Sequence, residues 1–187
     1  MLSTILGMSI GVTMFKSFLV IIVALVYSVS AQADISIKAE AECIAKNMYF
    51  EARNQSLKGM IAVGHVTMNR VADDRYPNSA CKVVHQAQHS KWWLETHGKW
   101  HPLKNRCQFS WYCDGKSDKI PPQDAELYEQ IRGIAQRIYY QYDSFLMYDF
   151  TKGATHYHAD YVYPDWAESK IQTVTIGKHI FYRWEKQ

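Results

Sequence analysis

Apolar residues along this chain recur at intervals of three and four over most of its length, and at intervals of two only near its end. Ile37, Ala41, Ile44, Ala45, Met48 and Ala52 make one stripe of a helix that runs through residues 41–53. Asn54-Gln55-Ser56 reads as a stop followed by a new N-cap, at Ser56 or Asn54. The second helix extends from Leu57 to about Ala72. Its segment Met60-Ile61-Ala62-Val63-Gly64 is apolar on nearly every side, which predicts a buried helix, and Arg70 near its end suits the dipole. After the polar turn Asp73-Asp74-Arg75-Tyr76-Pro77-Asn78, Asn78 or Ser79 can cap a short helix carrying Val83, Val84 and Ala87. No period runs from Gln88 to Pro122. Pro121-Pro122 then precede the clearest helix, Gln123 to Tyr142, striped by Leu127, Ile131, Ile134, Ala135, Ile138 and Tyr142. Beyond it Ala154-Thr155-His156-Tyr157-His158 reads as a strand and Pro164-Asp165-Trp166 as a helical turn. Thr173–Ile176 and His179–Trp184 read as a hairpin whose Gly177-Lys178 suits a type II′ turn. Helices first and a small antiparallel sheet last predict an α+β fold in one domain, residues 34–187.

The N-terminus changes the compartment rather than the fold. Lys16 and the apolar run from Phe18 to Val26 lead to Ala31-Gln32-Ala33, a small-residue cleavage pattern. Residues 1–33 are therefore expected to be a signal peptide, with Met14 as a second candidate start and Asp34 as the first mature residue. The apolar core is short for a membrane span, which disfavours an uncleaved anchor. The expected location is the periplasm or cell envelope, with membrane contact only through this segment.

Four cysteines follow it: Cys43, Cys81, Cys107 and Cys113. In an exported domain an even count argues for two disulfides. Three pairings are open; Cys107 and Cys113 are close enough to close a small loop, which would leave Cys43 to Cys81. The spacings do not suit zinc. A net charge of +3 and a pI of about 8.6 are too weakly basic to argue for nucleic acid, but they are compatible with an anionic polymer such as bacterial cell wall. The 13 tyrosines and 6 tryptophans could pack a core or stack on sugar rings. Trp92, Trp93, Trp100, Trp111 and Tyr112 fall in the aperiodic stretch among His89, His97, His101, Lys91, Lys99, Lys104 and Arg106. They form either the wall of a substrate groove or a disulfide-pinned loop whose indoles pack.

Glu51 carries the candidate chemistry. It lies three residues after Met48 and seven after Ile44, so it sits on the apolar stripe in the last helical turn. Desolvation and the negative end of the helix dipole both raise a carboxyl pKa, and a carboxyl protonated near neutral pH can serve as a general acid. The plainer reading is a helix-end carboxylate paired with Arg53 or a distant lysine.

Five segments then occur in order: Tyr49-Phe50-Glu51-Ala52-Arg53, Met68-Asn69-Arg70-Val71, Tyr76-Pro77-Asn78, Cys107-Gln108-Phe109-Ser110-Trp111, and Gly153 to His158 running through Pro164-Asp165-Trp166 to Tyr182. Together they resemble the SleB/CwlJ family of cell wall hydrolases, and the four cysteines resemble its exported Gram-negative version. The resemblance implies a lysozyme-like, mostly helical fold and peptidoglycan as the partner, cut between its sugars by a lytic transglycosylase. It also implies that Glu51, at the family's helix-end glutamate, is the acid. One departure is visible: where the family usually reads Glu-Ala-Arg-Gly-Glu, this chain reads Glu51-Ala52-Arg53-Asn54-Gln55.

Protonating the leaving oxygen is the first requirement of glycoside cleavage, and ordinary hydrolysis adds a second carboxylate. A transglycosylase needs none, because the muramoyl 6-hydroxyl attacks the anomeric carbon. Glu51 is thus expected to be the sole acid/base, with Gln108, Ser110, Thr155, His156 and Tyr157 as groove residues holding the sugars. No cofactor or metal is called for, and a monomer is expected. Two alternatives stay open. His156 and His158, alternate residues of a strand, could hold zinc with Asp160 or His179 in an amidase. The tryptophan-rich stretch could instead serve a non-catalytic wall-binding module.

Overall fold

A computed structural model describes residues 34–144 and 148–185. The expected signal segment, residues 1–33, lies outside the described residues. The chain divides into two compact units, Met1–Lys38 and Ala39–Gln187. In the first, residues 34–38 are helical, with Lys38 bridged to Asp34 at 2.6 Å. The rest of the description concerns the second unit.

It opens with α1, helical from 39 to 52. Ala41, Ile44, Ala45, Met48 and Ala52 are buried, as the stripe predicts. Ser56 rather than Asn54 caps α2 (Leu57–Val71), accepting from Gly59 N. Ser79 caps the short α3 (Ala80–Val84) in the same way. Gly64 marks the place where α2 meets its neighbours. A Cβ there would come within 2.6 Å of Ile138 Cδ1 and 3.1 Å of Met48 Sδ, so only glycine allows this approach. Ile138 belongs to α5 (Ala125–Asp143), which a 3₁₀ turn at Pro122–Asp124 introduces. Buried side chains of α1, α2 and α5 form the main core, with Tyr49, Met48, Val63, Ile131 and Ile138 at its centre.

The stretch without a period is built of short pieces. β1 (Ala87–His89) pairs antiparallel with β2 (Pro102–Cys107), and α4 (Lys91–His97) bridges them. Ser90 caps α4 at its start, and Gly98 ends it in the left-handed region. A 3₁₀ turn, Ser110–Cys113, follows. These pieces are too short to repeat an apolar period, so the first sheet was invisible to pattern. The two readings of the tryptophans divide among the residues. Trp111 is buried against a stacked Phe50 and donates to Asn47 Oδ1, whereas Trp92 and Trp100 are 62% and 63% exposed.

The C-terminal sheet has the order β3-β5-β4, all antiparallel, with β3 (His156–Ala159), β4 (Ile171–Ile176) and β5 (His179–Arg183). Gly177 has φ 57° and Lys178 has no positive φ, which fits the type II′ hairpin. Phe181 and Ile176 bury this sheet against Ala62 and Val66 of α2. The disulfides are Cys43–Cys81, tying α1 to α3, and Cys107–Cys113.

Candidate active site

Glu51 stands half-buried in the last turn of α1, where the apolar stripe places it. Its partner comes from the other end of the chain: the Tyr157 hydroxyl on β3 donates to Glu51 Oε2 at 2.8 Å. The Tyr157 ring touches all three buried clusters, which leaves this hydroxyl little freedom. Burial raises the Glu51 pKa above the ordinary carboxyl range, and the Tyr157 bond and the Arg70 charge pull partly the other way. Among the described residues, the side chains that act on it are Tyr157 and Arg70. Tyr157, buried and bonded to a carboxylate, has its own pKa pushed well up, so it remains a donor.

The plainer pairing for Glu51 fails on geometry. Arg53 Nη1 donates to the Tyr49 hydroxyl at 2.7 Å and lies 3.8 Å from Asp124, and Tyr49 in turn donates to Asp124. Arg53 is thus engaged by Tyr49 and Asp124. The departing residue, Gln55, reaches the hairpin, where Lys178 N donates to its Oε1 at 3.2 Å.

Arg70 is the residue that sequence reasoning underrated. It is buried, its Nε donates to the Thr155 carbonyl at 2.7 Å, and its guanidinium lies over the rings of Phe109 (4.9 Å) and Tyr76 (5.3 Å). Its Nη1 is buried with no hydrogen-bond partner. The signal was available: Met60, Val63, Thr67 and Arg70 follow one another by threes and fours on the buried stripe of α2. Its neighbour Asn69 fastens the loop before β3, donating to Asp149, Thr151 and the Ala154 carbonyl.

Thr155 and His156 join this group. Thr155 is buried, and its hydroxyl shares a 2.9 Å hydrogen bond with His156 Nδ1. His156 Nε2 lies 3.4 Å from the Tyr76 hydroxyl, which accepts from Trp184 Nε1. Burial, helped by Arg70, Lys170 and Arg75, holds the His156 pKa down at about 3, so the ring is neutral at any pH of interest. His158 has both ring nitrogens engaged, with the Ala159 carbonyl and the Tyr182 hydroxyl. Among the described residues no three His, Cys, Asp or Glu side chains are placed to hold a metal ion.

Of the other two expected site residues, Ser110 lines a cleft of about 370 Å³ with Phe50, Arg53 and Trp111. Gln108 is exposed, and its backbone N–H donates to the Gln86 carbonyl. The structure therefore brings Glu51, Thr155, His156 and Tyr157 together around Arg70.

A half-buried carboxyl at a helix end, bonded to a small antiparallel sheet packed on helices, fits a lysozyme-like α+β fold. A family model described as Cell Wall Hydrolase matches residues 54–182, most of the chain, and the chain belongs to that family. It is a hydrolase that degrades peptidoglycan, acting in the envelope or outside the cell. The matched segment contains Arg70, Thr155, His156 and Tyr157 but begins three residues after Glu51. Among solved structures, the fold matches the catalytic domain of the germination-specific lytic transglycosylase SleB from Bacillus anthracis. The TM-score is 0.51 at 23% identity, over 77% of this chain and 93% of that one. The catalytic domain of the Bacillus cereus SleB protein is also similar, at TM-score 0.49 and 23% identity, over 77% and 89% of the two chains. No curated protein matches.

Proposed function

We propose that this enzyme cleaves the glycosidic bond between N-acetylmuramic acid and N-acetylglucosamine as a lytic transglycosylase, with Glu51 as its one acid/base. The observation that carries the reading is a half-buried carboxyl with a raised pKa, bonded to Tyr157 and, among the described residues, without a hydrogen bond or ion pair to another carboxyl. Hydrolysis by the two-carboxylate route would need a second carboxyl roughly 5–9.5 Å from the first, which a transglycosylase does not require. The activity named for the Bacillus anthracis structural neighbour, a lytic transglycosylase, is of the same kind.

Glu51 gives its proton to the leaving oxygen as the C1–O bond breaks. The resulting carboxylate then takes the proton of the muramoyl 6-hydroxyl while that oxygen closes the 1,6-anhydro ring. The proton count balances and no water is consumed. Tyr157 and Arg70 serve the first half, since both favour the ionised carboxyl that proton donation leaves behind and that burial disfavours. Tyr157 is thus a positioning residue, Thr155 and His156 back the site, and Ser110 and Gln108 meet more distant parts of the strand. Residues 34–187 form the mature catalytic domain, a monomer without cofactor, exported to the periplasm by residues 1–33.

Glu51→Gln tests the assignment: the purified variant should stay folded and fail to solubilise purified sacculi. A variant that still clears them removes Glu51 from the mechanism. Mass spectrometry of the wild-type digest should show anhydro-muramic ends; reducing-end muramic acid would make the enzyme a hydrolytic muramidase instead.

A further inference from the structure

One cleft beside the catalytic group takes no part in the glycosidic step. It measures about 560 Å³, and Arg75, Thr155, Arg183 and Trp184 line it with Asp73, Asp74 and Glu185. Two cations converge on the Trp184 ring: Lys170 Nζ lies 3.4 Å from its centroid and the Arg75 guanidinium carbon 4.7 Å. An indole face attracts each of them, but it does not remove their mutual repulsion. Burial and Arg75 accordingly hold the Lys170 pKa below its ordinary range. Arg75 is answered by Asp73, which accepts from its Nε at 2.7 Å. Lys170 has no carboxylate within ion-pair distance among the described residues. Arg183 Nε is buried without a hydrogen-bond partner. Asp74 and Glu185, by contrast, are exposed.

We infer that this cleft binds the charged peptide stem on the 3-O-lactyl group of the muramoyl residue being cleaved. A stem carboxylate meets Lys170 where it lies on the cleft-lining Trp184, with the Arg183 side chain in the wall beside it, and the ammonium of the stem's diamino acid faces Asp74 and Glu185. The inference rests on the glycosidic reading of Glu51. An apolar group would leave the Lys170 ammonium beside Trp184 without a counter-charge, and a plain polyanion would meet Asp74 and Glu185; a zwitterion satisfies both signs. Position agrees with charge. Thr155 lines the cleft, accepts from Arg70 through its carbonyl and bonds His156 through its hydroxyl, and the charge of Arg70 acts on Glu51. The cleft therefore borders the catalytic carboxyl's own neighbours, as a substituent of the cleaved sugar requires.

The experiment compares kcat and KM on soluble glycan strands bearing stems with those on strands stripped by an amidase, which keep only the lactyl carboxylate. Wild type should prefer stem-bearing strands by roughly tenfold or more in kcat/KM, mainly through KM, the scale of one charge-assisted hydrogen bond. Lys170→Gln should bring that ratio toward one, and Lys170→Arg should preserve it. Equal wild-type rates on the two strands, or a ratio that Lys170→Gln leaves unchanged, overturns the inference. A Glu51→Gln variant that still cleaves strands would instead overturn the glycosidic reading, and it leaves the stem preference measurable.

Discussion

Replacing Tyr157 by Phe removes one oxygen from a ring that is otherwise held by all three buried clusters, so the backbone and the rest of the site should stay in place. What is lost is the 2.8 Å donation to Glu51 Oε2. A hydrogen bond to an ionised group contributes about 1.5–3 kcal/mol, and one between neutral groups about 0.5–1.5. The protonated form of Glu51 therefore loses less than the ionised form does, by about 1–1.5 kcal/mol. That difference biases the carboxyl toward its protonated state by roughly five- to thirteenfold. Burial already pushes the same way, and Arg70 alone remains to oppose it. For a general acid, the alkaline limb of the pH profile reports loss of its proton. In Tyr157→Phe that limb should move to higher pH, and kcat should fall because a carboxyl of higher pKa gives its proton to the leaving oxygen less readily. The assay is solubilisation of dye-labelled sacculi across pH, with circular dichroism confirming the fold. An alkaline limb that stays put or moves to lower pH would refute the role assigned to this hydroxyl.

Glu51→Gln should also change stability. A folded-state carboxyl pKa above the unfolded value means that the folded chain holds its proton longer. Stability is then lost as pH rises from the ordinary carboxyl pKa through the raised one. An amide at this position escapes the loss, so the variant's melting temperature should exceed wild type's by more at pH 8 than at pH 4; a constant gap would contradict the raised pKa. Of the two disulfides, Cys43–Cys81 spans 38 residues and Cys107–Cys113 spans 6. Loop entropy makes the first worth about 4 kcal/mol and the second about 2, so paired Cys→Ser variants should melt in that order. Gly64→Ala forces a methyl onto Ile138 and Met48, which should cost about 1–3 kcal/mol by denaturant unfolding; an unchanged midpoint would mean that the three helices separate freely there.

Much of this site was legible because helical periodicity is local. Glu51 was placed on the buried stripe by counting from Ile44 and Met48, and the same count from Met60, Val63 and Thr67 puts Arg70 on the buried face of α2. The dipole argument hid that second result, since a basic residue near a helix C-terminus already had an explanation. The long fifth helix and the Gly177-Lys178 hairpin are also matters of neighbouring residues, and they stand where the pattern put them; between the two cap candidates at each of α2 and α3, the structure takes Ser56 and Ser79.

What the tertiary structure alone decided are the relations across the chain. Tyr157 meets Glu51 over a separation of 106 residues, and no period links them. The even cysteine count called for two disulfides, but the choice among three pairings required α1 to lie beside α3. The same is true of Lys170 and Arg75 meeting at Trp184, because each belongs to a different segment and only packing brings like charges to one ring. Periodicity tells each helix which face to bury. The charges and hydroxyls that then confront one another depend on how three buried clusters close together, and that is where the acid acquires its environment.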